Sequence, residues 1–141
     1  MDIKSKNARS ANMSAIKSGG TRPEQLALKM FKKYGYRVKT SNRDLPGRPD
    51  IFLPNKKVAI FIHGCFWHRH PGCEYSYLPK SNVAFWKRKF ESNISRDKNV
   101  SRQYRDNVIR QAVIWECEVE RAVKEGDELT IIKRIRSIAG K

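Results

Sequence analysis

Acidic residues are scarce in this chain of 141. Asp and Glu number 14 against 30 Lys and Arg, a formal net charge of +16 at pH 7. Such an excess points to a polyanionic partner, nucleic acid first. Long hydrophobic runs are missing: none approaches the roughly 18–20 residues that span a bilayer. The stretch Met1 to Asn7 has no apolar core of the signal-peptide kind, so an intracellular protein is expected. Cysteine is limited to three, an odd number that cannot close a disulfide framework. In a reducing compartment that leaves metal ligation, catalysis or burial. There is no internal repeat and no domain linker, and the length suits one domain. What is not scarce is core material. Hydrophobic residues at 39% and aromatics at 10% exclude a wholly disordered basic tail.

Residues 1–20 are polar and end in Ser18-Gly19-Gly20. They form a basic arm in which Ala8 to Lys17 suits a short helix, with Met13 and Ile16 on one face. Arms of this kind are either disordered or become ordered on DNA. From Thr21 onward a single domain, residues 21–141, is expected. Thr21 caps a helix, with Pro23 in its first turn and Glu24 completing a capping box; Leu26, Leu28, Met30, Phe31 and Tyr34 supply its apolar face and Gly35 ends it. Tyr36 to Thr40 and Asp50 to Leu53 are predicted strands. Val58 to Ile62 is an uninterrupted apolar run, as expected of a central strand buried on both faces, and the short turn 54–57 makes it a hairpin with the strand before. A long polar helix runs from Ser81 or Asn82 towards Asp106, with Phe85, Trp86, Phe90 and Ile94 as anchors, Phe85 and Phe90 in the core. A fourth strand spans Val108 to Trp115. Asp127 caps a last helix whose Leu129, Ile132, Ile135 and Ile138 face inward. The expected order is α-β-β-β-α-β-α, a mixed sheet flanked by helices.

All three histidines and two of the three cysteines fall between His63 and Cys73. Cys65, His70 and Cys73 have loop-compatible spacing, and Cys117, after the fourth strand, completes a Cys₃His set suited to structural zinc; the bland alternative is buried thiols and ordinary histidines. His63 and His68 are then free for proton transfer. Asp50 opens a strand that pairs with Val58–Ile62, which brings its carboxylate close to His63. An acid there is often a plain turn residue, yet beside a strand carbonyl and imidazoles it is how Mg²⁺ is held against a phosphate. Two aromatic pairs, Phe66-Trp67 and Phe85-Trp86, are embedded in charge. Apolar wedges that enter between base steps unstack DNA, and a mismatched step opens at least cost. The combination suits a protein that probes DNA for a weak point.

His63-Gly64-Cys65-Phe66-Trp67-His68, with Leu45-Pro46-Gly47-Arg48-Pro49-Asp50 before it and Phe85-Trp86, Arg96-Asp97 and Trp115-Glu116-Cys117 after it, closely resembles the very-short-patch repair (Vsr-type) DNA mismatch endonucleases. Asn12-Met13-Ser14-Ala15-Ile16 resembles that family's N-terminal segment, so the resemblance runs from about Arg9 to Cys117. It implies an α/β fold of the PD-(D/E)XK nuclease type with a structural zinc, and Mg²⁺-dependent nicking of one strand 5′ to the mispaired T of a T·G mismatch left by 5-methylcytosine deamination. Carried over by position, Asp50 and the Ile62 carbonyl hold Mg²⁺, and His63 and His68 act at the scissile phosphate, His68 on the attacking water. Glu24 holds outer-shell water and Asp97 supports the histidines. Cys65, His70, Cys73 and Cys117 bind zinc. Phe66, Trp67 and Trp86 wedge beside the mismatch, with Met13 entering from the other side. The implied setting is a bacterial, cytoplasmic, nucleoid-associated monomer that acts on mismatched double-stranded DNA without a membrane, upstream of mismatch-repair proteins and a DNA polymerase. Three departures stand out: Ile62 occupies a position where the family commonly has Thr, two residues rather than one separate His70 from Cys73, and Asn107-Val108-Ile109 replaces a Leu-Gly-Trp-like turn.

The main competing reading is a non-catalytic, zinc-stapled mismatch- or DNA-binding protein, which has no need to cluster Asp50, His63 and His68. A zinc-dependent nucleobase deaminase needs His-x-Glu and Pro-Cys-x-x-Cys, and neither occurs. A homing-type His-Cys nuclease fits the cluster but not the strand-borne Asp50.

Overall fold

The computed structural model describes residues 21–140; the basic arm, its helix and Met13 lie outside the described residues. The elements are α1 (Arg22–Lys33), β1 (Ile51–Leu53), β2 (Val58–His63), α2 (Val83–Tyr104), β3 (Arg110–Trp115), α3 (Glu116–Glu125) and α4 (Glu128–Ala139). Among the described residues no helix is long and apolar enough to cross a membrane.

β2 is the middle strand of a three-stranded sheet, antiparallel to β1 and parallel to β3. All six of its residues are buried. Because successive side chains leave opposite faces of a strand, Val58, Ile60 and Ile62 join a core with Met30 and Phe31 of α1, Val119 of α3 and Ile132 and Ile135 of α4. Ala59 and Phe61 turn the other way and pack with Tyr104 of α2. The result is three layers, with α2 on one face and α1, α3 and α4 on the other. Each fully buried Ile contributes about 1.5–3 kcal/mol of apolar burial. The same alternation sends His63 to the α2 side, where Phe61 meets its ring edge at 6.2 Å. The site is therefore placed by strand parity.

Helix ends follow their local chemistry. Thr21 Oγ1 accepts the Glu24 N–H at 3.4 Å at the start of α1, and Gly35, at φ +84°, follows its last turn. Ion pairs tie the helical layer together on its outside: Arg22 to Glu120, Lys33 to Glu128 and Arg134 to Glu118. Exposed pairs of this kind are worth about 0–1 kcal/mol each.

Four expectations are corrected. The stretch Tyr36 to Thr40 makes a single bridge, Lys39 to Phe52, rather than a strand. Ser41 follows at φ +59° and breaks the extended run. A helix, α3, stands where none was expected, because β3 runs into it with no intervening turn: Trp115 ends the strand and is the helix N-cap. Phe85 is exposed rather than core, as is Leu129. Phe85 lies five residues before Phe90, about 140° round the helix at 3.6 residues per turn, so it leaves the face that packs on the sheet.

Candidate active site and metal centre

The buried face of α2 carries Phe90, Asn93 and Tyr104. Asp97 and Val100 fall in the same i, i+4, i+7 row as Asn93. This row lies over the C-terminal end of β2. Tyr104 donates its hydroxyl to the Pro46 carbonyl at 2.7 Å, and Asn42 donates to the Lys39 and Pro49 carbonyls. Gly47 sits at φ +70° against α2, where a Cβ would meet Val100 Cγ1 at 2.6 Å. These contacts fix the loop 42–49 that delivers Asp50 to the sheet.

Asp50, immediately before β1, accepts the Ile62 N–H at 2.7 Å. In an antiparallel ladder a residue's N–H and C=O leave the same edge of its strand, so the Ile62 carbonyl also exits on Asp50's side. Burial and then the carboxylate of Glu24 push the Asp50 acid up to about 7, against the pull of the Ile62 N–H. Two facing carboxylates in a half-dry cleft form a site that a divalent cation would relieve. Asp50, Glu24 and Ile62 fit such an ion.

His63 and His68 stack, with centroids 3.9 Å apart and planes 6° from parallel. His68 Nδ1 lies 2.7 Å from Asp97 Oδ2. With Nδ1–H donated to the carboxylate, the neutral ring keeps its lone pair on Nε2. Burial, then the neighbouring His68, lowers His63 to about 4, partly offset by Asp97; His63 is a neutral ring at physiological pH. Asp50, His63, His68 and Asp97 line one cleft of about 740 Å³, together with Glu24 and the rings of Phe66 and Trp67.

On the far side of the His63 backbone the chain builds a second cluster. Cys65, His70, Cys73 and Cys117 bring four ligand atoms within 4.8 Å of one another, with Cys117 Sγ 3.5 Å from His70 Nδ1. Burial pushes the Cys65 thiol up to about 12, against the pull of the Cys117 backbone N–H and with help from the Cys117 and Cys73 side chains. Crowded thiols in a dry pocket with one imidazole fit a soft, tetrahedral ion such as zinc. Cys65 is fully buried and His70, Cys73 and Cys117 are half-buried; four protein donors would leave no open position on such an ion, which would join the loop 64–76 to the start of α3.

The aromatic residues form one connected group. Phe66 meets Trp67 at 5.2 Å, Trp86 at 5.4 Å and Phe90 at 5.1 Å. Trp67 and Trp86 are 5.7 Å apart.

Three supporting side chains were not singled out from the sequence. Arg69, at φ +57°, lies 3.8 Å over the Phe90 ring and donates to the carbonyls of Phe66, Ser76 and Tyr77. Asn93 donates to the Trp67 carbonyl at 3.0 Å. Glu116 accepts the Cys65 N–H at 2.9 Å and also lines the cleft. Glu116 stood in the recognised motif and Arg69 inside the His–Cys run, but nothing in their spacing announced carbonyl-clasping or loop-pinning roles.

Residues 1–74 match the family model described as DNA mismatch endonuclease Vsr. The chain is 40% identical over 107 residues to the type II nicking enzyme V.XorIIP of Xanthomonas oryzae, covering 76% of this chain and 78% of that one. It is 37% identical over 119 residues to V.NmeAIP of Neisseria meningitidis, covering 84% of each. With the DNA mismatch endonuclease Vsr of Escherichia coli it shares 32% over 127 residues, 90% of this chain and 81% of that one.

Proposed function

The chain belongs to the Vsr family of DNA mismatch endonucleases, and on that premise we propose that it nicks one strand of duplex DNA 5′ to the mispaired T of a T·G mismatch, with Mg²⁺ as cofactor and zinc as structural ion. The observation that carries this reading is a single cleft in which Asp50, Glu24, His63, His68 and Asp97 face Phe66 and Trp67, on a chain of +16 charge. The hairpin that presents Asp50 after Pro49, with the next strand running antiparallel, suits the PD-(D/E)XK plan. The basic segment 1–20, with Met13, would add DNA contacts from outside the described residues.

Asp50 and the Ile62 carbonyl would hold Mg²⁺, with Glu24 behind them. When bound, the ion supplies charge stabilisation for the phosphate and the departing 3′-oxygen. Since only a backbone atom of residue 62 is used, the Ile62 side chain does not stand in the way. His68 takes a proton from the attacking water at Nε2, while Asp97 fixes its tautomer and steadies the imidazolium that forms. His63, neutral and stacked on His68, holds that ring in plane and lets it charge without a second cation beside it. Phe66, Trp67 and Trp86 enter the stack at the mismatch. Selectivity arises because a mispaired step costs less to open than a paired one. Cys65, His70, Cys73 and Cys117 hold zinc and keep the wedge loop in place.

A non-catalytic DNA-binding module would leave the His68–Asp97 pair and the Asp50–Glu24 pair without a purpose. The test is a nicking assay on end-labelled duplexes carrying one T·G mismatch in varied contexts, with paired controls, Mg²⁺ or EDTA, and wild type or Asp50→Ala. A Mg²⁺-dependent nick at the mismatch, lost in Asp50→Ala while DNA binding persists, is expected. Mismatch binding without a nick in any context or divalent metal would overturn the reading.

A further inference from the structure

Four of the eight large apolar side chains exposed among the described residues fall within eleven positions: Tyr75, Tyr77, Leu78 and Phe85. Two of them, Tyr77 and Phe85, are also in ring contact with the aromatic group of the cleft, and exposed apolar area that continues a site marks an interaction surface. Tyr77, 61% exposed, leans on Phe66 at 5.1 Å. Phe85, 52% exposed, meets Trp86 edge-on at 5.2 Å. The two rings therefore continue, at the surface, the aromatic group that lines the cleft through Phe66 and Trp67.

The segment that carries Tyr77 is held firmly. Arg69 donates to the Ser76 carbonyl at 2.8 Å and to the Tyr77 carbonyl at 3.1 Å. Ser76 donates its hydroxyl to the Cys65 carbonyl at 3.0 Å. These bonds tie the exposed ring to the metal-binding loop, so its position costs little further ordering when something stacks on it.

From this we infer that Tyr77 and Phe85 form a stacking platform for nucleobases that are unstacked beside the mismatch, a subsite outside the wedge itself. The inference rests on the mismatch-nicking reading above and adds the flanking nucleotides as its ligand. Charge selects the occupant. Lys80 lies between the two rings in sequence, and Lys87, Arg88 and Lys89 follow Phe85, all exposed. Protein–protein interface cores are depleted of lysine, whereas aromatic faces set among cations are how single bases and unstacked steps are gripped. The platform also supplies a physical origin for sequence context: stacking strength differs among bases, so the nucleotide lying on Tyr77 or Phe85 would tune affinity without hydrogen-bond readout.

Binding and crosslinking test this on the full-length, zinc-loaded protein. Tyr77→Ala and Phe85→Ala should each weaken binding to a T·G duplex roughly tenfold, the loss of one base–aromatic stack, and raise KM for nicking by a similar factor. Tyr77→Phe keeps the ring and should restore affinity. Phe85→Leu keeps apolar bulk without the π-face and should resemble Phe85→Ala. Both side chains are exposed, so melting temperature and zinc content should match wild type. With 5-iodouracil placed within a few nucleotides of the mismatch, irradiation should link the DNA to Tyr77 or Phe85. Wild-type affinity in both alanine variants, or crosslinks confined to other residues, would overturn the platform. A wild-type protein that binds but never nicks T·G DNA would sink the mismatch-nicking reading instead, and the crosslinks would still report on the platform.

Discussion

Two clusters of ligating side chains lie on either side of the same pair of strand ends, and they are built to opposite specifications. His63 and Trp115 are register partners closing β2 and β3. Two residues beyond each stand Cys65 and Cys117, which with His70 and Cys73 make a compact set with three sulfurs. At the end of β2 stand His63 and Ile62, with Asp50 reaching Ile62 from just before β1; with His68, Asp97 and Glu24 they make an oxygen and imidazole set open to a cleft. Trp115 stands between the two: His70 stacks on it at 4.2 Å and His63 meets its edge at 5.3 Å. Donor softness and openness separate the roles. A soft, closed set can satisfy an ion completely and contributes folding energy. A hard, open set leaves positions for water and phosphate and contributes chemistry.

The largest effects break the comparison on its catalytic side. His68→Ala should lower kcat about 10²–10⁴-fold with melting unchanged, read by single-turnover nicking at saturating DNA; a loss confined to DNA affinity would contradict a base at Nε2. On the other side, Cys117→Ser should leave one ligand short. A loss of several kcal/mol of stability is expected, seen as lower zinc stoichiometry and a fall of about 10 °C or more in Tm. Unchanged melting with full zinc would refute a structural centre. Asp97→Asn sharpens the contrast: the amide cannot fix the His68 tautomer, and kcat should fall about 10–10²-fold with a displaced pH–rate profile, while zinc content stays at wild type.

A smaller effect has the opposite sign. The Asp50 acid sits at about 7, above the ordinary carboxylate near 3.9. The folded state therefore binds the extra proton between those values, and stability falls as pH rises through that window. Without Mg²⁺, Asp50→Asn should melt a few degrees above wild type at pH 7.5 and not at pH 4. Added Mg²⁺ should raise the wild-type Tm and leave the variant where it is. A variant less stable than wild type at pH 7.5 would show that the Asp50 carboxylate is not under strain.

How legible this was in the sequence varied with the kind of force involved. The unbroken, largely β-branched Val58–Ile62 run between turn residues pointed to a buried strand, and Thr21-x-x-Glu24 with Pro23 pointed to a helix start, because each is signalled by local chemistry. The four members of the sulfur cluster could be grouped because cysteine is rare: Cys65, His70 and Cys73 fall close together, and Cys117 is the one cysteine left. The strand-to-helix joint at Trp115 was not, since Trp115-Glu116-Cys117-Glu118 contains no turn residue to announce it; the later signals, Val119 and Ala122 one turn apart and Gly126 at φ +70°, were there to be used. Nor could the inward face of α2 be told from its apolar residues. Asn93 and Asp97 share that face and find partners there in the Trp67 carbonyl and His68, and Phe85 faces out.

Glu118 offers the gentlest probe of the joint between the clusters. Its carboxylate accepts the Trp115 N–H at 3.0 Å and pairs with Arg134 at 2.8 Å. Burial alone would raise it, but the Arg134 guanidinium and the Trp115 N–H outweigh that and hold it below the usual glutamate range. With a folded pKa below the unfolded one, the stabilisation is present in full above the unfolded value near 4.3 and is lost as pH falls through the folded value. Glu118→Gln should cost about 1 kcal/mol near neutrality and flatten the acid limb of a Tm–pH curve. Glu118 hydrogen-bonds the Trp115 backbone and no ligand of either cluster, although His70 and Cys117 feel its charge, so zinc content should fall at most slightly while kcat dips a few-fold through the Trp115 ring that meets His63. Equal losses of zinc and rate would instead mean that the two clusters stand or fall as one unit.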